Sequence, residues 1–141
     1  MKNLLIFILT RSCELFAIDA PLFFETEIKT READRTLKRY GAMPPEILKD
    51  LSLRGTALAK ALINEGKEVI EVFPTATSKI LSVWEKDRRK TARKLGIKVR
   101  NKHELDAYLC ALTGKLWVED KAIAVGDDEG KIVIPNGSPL S

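Results

Sequence analysis

Three carboxylates in this sequence stand where an ionised side chain is costly. Asp19 closes the apolar run Leu15-Phe-Ala-Ile, Glu71 interrupts Val69-Ile-Glu-Val-Phe73, and Asp106 lies within His103-Glu-Leu-Asp-Ala-Tyr-Leu-Cys110. A charged carboxylate among apolar neighbours needs a cation or hydrogen-bond donors. If the three converge they repel one another, and a divalent cation is the usual remedy. Mg²⁺ or Mn²⁺ held by Asp19, Glu71 and Asp106 would activate a water and stabilise the leaving oxygen in phosphodiester hydrolysis. His103 would then position water or substrate. Each residue also has a plainer reading. Asp19 fits a turn before Ala20-Pro21, Glu71 an edge strand or a cleft facing a cation, and Asp106 a buried Asp tied to backbone or arginine. Arg31 and Asp34, one helical turn apart, read as a local pair worth roughly a few tenths of a kcal/mol.

Other chemistries find little support. The chain has no Walker loop, GxGxxG, GxSxG or HExxH pattern, and its single histidine argues against a nucleophilic triad. With two cysteines, Cys13 and Cys110, and no CxxC, a disulfide scaffold and a structural zinc site are both disfavoured.

The elements that must position these residues follow from period and punctuation. Asn101 with Glu104 forms a capping box that opens a helix, for which Gly114 is the expected stop. Leu105, Tyr108, Leu109 and Leu112 share one face of it, and His103, Asp106, Ala107, Cys110 and Ala111 the other. A helix apolar or small on both sides is expected against a sheet. Residues 14–19 and 67–74 read as strands, each ended by a proline, Pro21 and Pro74. Helical segments separate them, with one beginning near Thr30 and another spanning 46–65 up to Gly66. That alternation implies a parallel α/β arrangement, in which ligands collect at the C-terminal ends of strands. Residues 75–95 form one long helix or two broken ones, leading to Gly96. Residues 3–12 are apolar without a clear period, so helix and strand both remain open there. Residues 122–134 read as a hairpin turning at Asp127, Asp128 and Glu129.

Charge is unevenly placed. Of 24 Lys and Arg in 141 residues, nine fall between Lys86 and Lys102 against Asp87 alone: Lys86, Arg88, Arg89, Lys90, Arg93, Lys94, Lys98, Arg100 and Lys102. Such a run is either a solvated face or a track for a phosphate backbone. The whole chain carries a net charge of +4 with a pI near 9.1, which permits a polyanionic partner without demanding one. Its hydrophobic fraction of 45% and charged fraction of 31% describe one globular domain with a core. The N-terminal apolar run is far short of the roughly 18–20 residues needed to span a bilayer. Arg11 and Glu14 interrupt it as a signal sequence, which leaves the cytoplasm as the default compartment. The lack of Gln and the presence of only four Asn suit a thermophilic source.

Five motifs in series, Ala17-Ile-Asp-Ala-Pro-Leu22, Arg31-x-x-Asp34, Val69-Ile-Glu-Val-Phe-Pro74, His103-Glu-Leu-Asp-Ala107 and Gly126-Asp-Asp-Glu-Gly-Lys-Ile-Val-Ile-Pro135, resemble those of domain of unknown function (DUF) 429. That family is regarded as predicted nucleases of RNase-H-like fold, and the Asp-Ala on a small-residue helix also resembles the last catalytic helix of Holliday-junction resolvases. The resemblance implies that Asp19 ends the fourth strand, Glu71 lies on the fifth, and Asp106 with His103 occupies the final helix. RNase-H-like domains begin with a three-stranded meander whose first strand donates a catalytic Asp, and no Asp precedes Asp19. The expectation is therefore an N-terminally incomplete RNase-H-like α/β domain: a parallel strand pair flanked by helices, plus the C-terminal hairpin. Strand 14–19 would then be an exposed edge, completed by self-association into a homo-oligomer or by pairing with residues 3–9. Two functions remain open, a metal-dependent nuclease and a non-catalytic domain of the same fold that binds nucleic acid or serves as a scaffold.

Overall fold

The computed structural model describes the backbone of residues 6–8 and all of residues 15–137. The remainder of the apolar N-terminal run, Cys13, Glu14 and residues 138–141 lie outside the described residues. The chain runs β1 (Ile6–Ile8), β2 (Leu15–Ile18), α1 (Glu32–Thr36), a 3₁₀ turn (Lys38–Tyr40) and α2 (Lys49–Asn64). It continues through β3 (Glu68–Val72), α3 (Pro74–Ile80), α4 (Arg88–Leu95), α5 (Lys102–Val118), β4 (Ala122–Asp127) and β5 (Gly130–Pro135). The strands form one mixed sheet in the order β1-β2-β3-β5-β4. β2, β3 and β5 are mutually parallel at its centre, while β1 and β4 run antiparallel at the two edges. Among the described residues no helix is long and apolar enough to cross a membrane.

Side-chain alternation sorts the strands onto two faces. Leu15 and Ala17 of β2, Ile70 and Val72 of β3 and Val133 of β5 pack with Cys110 of α5. Ile132 and Ile134 point the other way, against Ala33 and Leu37 beside α1 and Ala76 of α3, and Ile18 meets Ala59 of α2. Helices thus cover both faces, as parallel strands require. β4 and β5 close through the two-residue turn Asp128-Glu129, with Asp127 paired to Gly130. Gly126, at φ +127, brings its backbone so near that an added Cβ would lie 2.2 Å from the Gly130 carbonyl oxygen.

Two expectations need correction, and one open alternative is resolved. Strand β2 is no exposed edge: Ile6–Ile8 pair with it in the register Ile6–Ile18 to Ile8–Phe16. Of the two ways foreseen to complete that edge, pairing within the chain is the one observed, and the case for a homo-oligomer through residues 14–19 loses its physical basis. The 75–95 segment is two helices, broken at Leu81–Asp87 where Ser82 adopts φ +63. Finally, Gly114 does not stop the last helix. It is buried within α5, which continues to Val118 because Leu116 and Trp117 still have partly buried positions to occupy.

Candidate functional site

Glu71 lies between Ile70 and Val72, both of which face α5, so the pleat turns its side chain to the opposite face. There it meets Arg31, just ahead of α1. Arg31 Nη1 and Nη2 donate to the two Glu71 carboxylate oxygens at 2.8 Å each. Arg31 Nε and Nη2 donate to the two Asp34 oxygens at 2.9 Å each, and Nη1 also reaches the Leu22 carbonyl at 3.2 Å. All five guanidinium N–H donors are thereby used. The backbone N–H of Leu22 adds a 3.0 Å bond to Glu71 Oε1, and the Phe23 ring centroid lies 4.7 Å from the guanidinium carbon. Arg31 is fully buried, with Glu71 and Asp34 nearly so. The local pair inferred from spacing is therefore the smaller half of a buried triad joining α1, β3 and the loop after β2.

The charges in this triad depend on one another. Burial raises the Glu71 pKa, and the Arg31 hydrogen bonds and charge offset only part of that rise. Burial alone would lower Arg31, but its bonds to Glu71 and Asp34 prevail and hold the guanidinium above its ordinary range. The hairpin makes room for the arginine: a Cβ on Gly130 would fall 2.6 Å from Arg31 Nη1 and 2.9 Å from its Cδ. Because the guanidinium is fixed by five bonds it cannot swing aside. Gly130→Ala is expected to cost about 1–3 kcal/mol, read as a lower urea midpoint with an unchanged slope.

Asp19 and Asp106 form a different grouping. Asp19 follows β2 at its C-terminal end, in phase with Leu15 and Ala17 and so on the α5 side of the sheet. Burial first, and then the charge of Asp106, push the Asp19 carboxyl up to about 7; the Lys102 ammonium acts in the opposite sense, and Glu71 adds a smaller upward push. No hydrogen bond or ion pair engages the Asp19 carboxylate among the described residues. Asp106, on the second turn of α5, takes a 2.7 Å bond from Lys102 Nζ and is 13% exposed on its side chain. Cys110, one turn further, is a free and buried thiol raised well above its usual pKa by burial and then by these two carboxylates. It therefore stays protonated and inert.

Two clefts give access to the pair. One of about 250 Å³ opens at the C-terminal ends of the parallel strands and is lined by Asp19, Pro21, Glu71, Phe73 and Thr75. The other, about 510 Å³, is lined by Thr75, Trp84, Lys86, Arg88, Lys102 and Asp106. Thr75 belongs to both. Among the described residues no group of three or more His, Cys, Asp or Glu is placed to hold a metal ion. Asp106 stands near enough for its charge to raise the Asp19 pKa, but the two line different clefts; Glu71 shares the Asp19 cleft with its oxygens committed to Arg31 and the Leu22 amide. His103 is exposed, three residues before Asp106 on the same helix.

All nine cations of the 86–102 run are exposed, on α4 and the segments flanking it. Lys94 pairs with Glu85, Arg89 with Asp87, Arg100 with Glu104 and Lys102 with Asp106. Lys86, Arg88, Lys90, Arg93 and Lys98 form no ion pair among the described residues. Arg89, Arg93 and Lys98 border a third hollow of about 510 Å³ at the C-terminal end of α4. The pattern of the sequence also offers Trp84, a large aromatic that is 45% exposed two residues ahead of this basic stretch. An aromatic at the head of a run of cations is the available signal.

The fold and the site together define a mixed α/β domain with two clefts that share Thr75, one bordered by Asp19 and Glu71 and the other by Asp106 with Lys86, Arg88 and Lys102. Comparison with family models, with curated proteins and with solved structures finds no match to this chain.

Proposed function

We propose that this chain is a divergent RNase-H-like domain that acts on nucleic-acid phosphodiesters with a divalent cation held between Asp19 and Asp106. The observation that carries the reading is the Asp19–Asp106 pair itself. Asp106 of α5 lies near enough to Asp19, at the end of β2, for its charge to act there, and burial pushes the Asp19 carboxyl up to about 7 although no donor among the described residues satisfies it. Such a pair suits Mg²⁺ or Mn²⁺, which retain several waters and bind through one or two carboxylates plus the substrate's phosphates. The cation would supply a water acidic enough to attack phosphorus and a counter-charge for the leaving oxygen. The chain's own part is to hold the two carboxylates at fixed spacing, to balance them with Lys102, and to lead the phosphate backbone in along Arg88, Lys90, Arg93 and Lys98. The five-motif likeness to DUF 429 supports the same assignment. Glu71 leaves the ligand set in this reading and serves the fold instead.

The test has two readouts. Calorimetric titration with Mn²⁺ is expected to give one site in the wild-type protein and none in Asp106→Asn. Metal-dependent cleavage is expected to fall by about 100-fold or more in the same variant, the scale of losing a group that holds a metal. Cleavage that survives the substitution would refute the assignment. The second reading, a non-catalytic domain that binds nucleic acid through the 86–102 cations, is favoured by the commitment of Glu71 to Arg31 and of Asp106 to Lys102. It requires that wild type bind nucleic acid and show no Mn²⁺ isotherm.

A further inference from the structure

The segment between α3 and α4 presents an aromatic ring where the proposed reading places substrate. Trp84 is 45% exposed, yet the backbone that carries it is fixed on both sides. The N–H groups of Val83 and Trp84 both donate to the Ser78 carbonyl, at 2.9 and 3.1 Å. The next N–H, of Glu85, donates at 2.8 Å to the hydroxyl of buried Thr91, and Ser82 holds the left-handed conformation that starts the bend. A strained residue and three directed bonds for one solvent-facing indole are more than a loose connection requires. Burial does not explain the ring, since nearly half of it faces water. Lys79 Nζ lies 4.8 Å from its centroid, so a cation already supports it. Around it, in the same cleft, stand Lys86, Arg88 and Lys102, with Glu85, Asp87 and Asp106, whose carboxylates are paired with Lys94, Arg89 and Lys102.

A rigid indole among cations, beside Asp106, matches what an unpaired nucleotide needs: a π-face for the base and positive charge for its phosphates. A base within a duplex is already stacked on both faces and offers only its edges, so it cannot use such a platform. We infer that Trp84 stacks an unpaired base, which makes the polymer bound in this cleft single-stranded nucleic acid. This rests on the nucleic-acid reading proposed above and adds the strandedness of the ligand.

The test measures binding in EDTA, so that metal and cleavage play no part. A fluorescein-labelled oligothymidylate and a duplex of equal length are titrated by anisotropy at several salt concentrations. Wild type is expected to prefer the single strand. Trp84→Ala should weaken single-strand binding by about tenfold while leaving duplex binding and the salt slope unchanged, because the phosphate contacts are untouched. Trp84→Tyr, which keeps a stacking face, should restore most of the loss, and circular dichroism of both variants should match wild type. Equal losses for single strand and duplex, or no loss for either, overturn the stacking role while wild-type binding leaves the broader reading standing. Failure of wild type to bind either polymer overturns both. Failure of Asp106→Asn to abolish cleavage leaves the Trp84 result as it is.

Discussion

Arg31→Met is expected to destabilise the protein by about 3–5 kcal/mol, more than any other single substitution outside the apolar core. Methionine matches much of the arginine's volume, so packing against Phe23 and Gly130 survives and the loss is electrostatic. What remains is two buried carboxylates, 6% and 7% exposed, that lose four hydrogen bonds between them. Among the described residues Glu71 then keeps only the Leu22 amide, and Asp34 only the Arg31 backbone N–H. In a domain of this size the loss corresponds to a fall in melting temperature of about 10–15 °C. The double variant Arg31→Met/Glu71→Gln should recover part of it, because a neutral amide is cheaper to bury than an orphaned charge. A melting temperature within about 2 °C of wild type for Arg31→Met would show that solvent reaches the triad.

The same triad shows where the sequence was legible and where it was not. Strands around Ala17 and Ile70, the hairpin at Asp128-Glu129 and the N-cap at Asn101 are local properties, set by period and by turn chemistry, and occur where the pattern places them; the capping box is only half made, because the Glu104 carboxylate accepts from the Arg100 N–H instead of that of Asn101. Glu71 was correctly singled out as a charge needing a cation, but its cation comes from a residue forty positions away, beyond the reach of any periodicity. The strand period nonetheless held the answer to which carboxylates meet. Asp19 is in phase with Leu15 and Ala17, whereas Glu71 is out of phase with Ile70 and Val72, so the two point to opposite faces of one parallel pair. The spacing of Arg31 and Asp34 shows a local pair but does not report its burial. Gly114 was read as a stop because glycine punctuates exposed helices, whereas a tertiary contact can carry a helix through one at a cost of about 1 kcal/mol. The pairing of Ile6–Ile8 with β2 is a non-local event between two apolar runs, and sequence left it as one of two options.

The second large effect concerns Asp19 and has a definite sign. Its folded pKa of about 7 lies above the ordinary 3.8, so the folded protein holds this proton more tightly than the unfolded chain does. Stability from this group is complete below about pH 4 and is lost as pH rises through about 7. Above that, the folded state carries an ionised carboxylate beside Asp106 that it would be more stable without. Asp19→Asn removes the ionisation. It is therefore expected to stabilise the protein at about pH 8 by roughly 2–4 kcal/mol, the range allowing for partial solvent screening, and to have almost no effect near pH 4. Urea denaturation of both proteins across that range checks this; parallel stability–pH curves would show that Asp19 titrates normally. Metal binding should reverse the ranking. A divalent cation needs the ionised pair, so its affinity for wild type should rise with pH through about 7 and its binding should release a proton. Saturating Mn²⁺ at about pH 8 should then raise wild-type stability above that of Asp19→Asn, which gains nothing from the metal. A carboxylate that weakens the fold unless a cation occupies its crevice is the pattern of a group placed for chemistry at the expense of stability, and the metal-dependent crossing of the two stability curves is its signature.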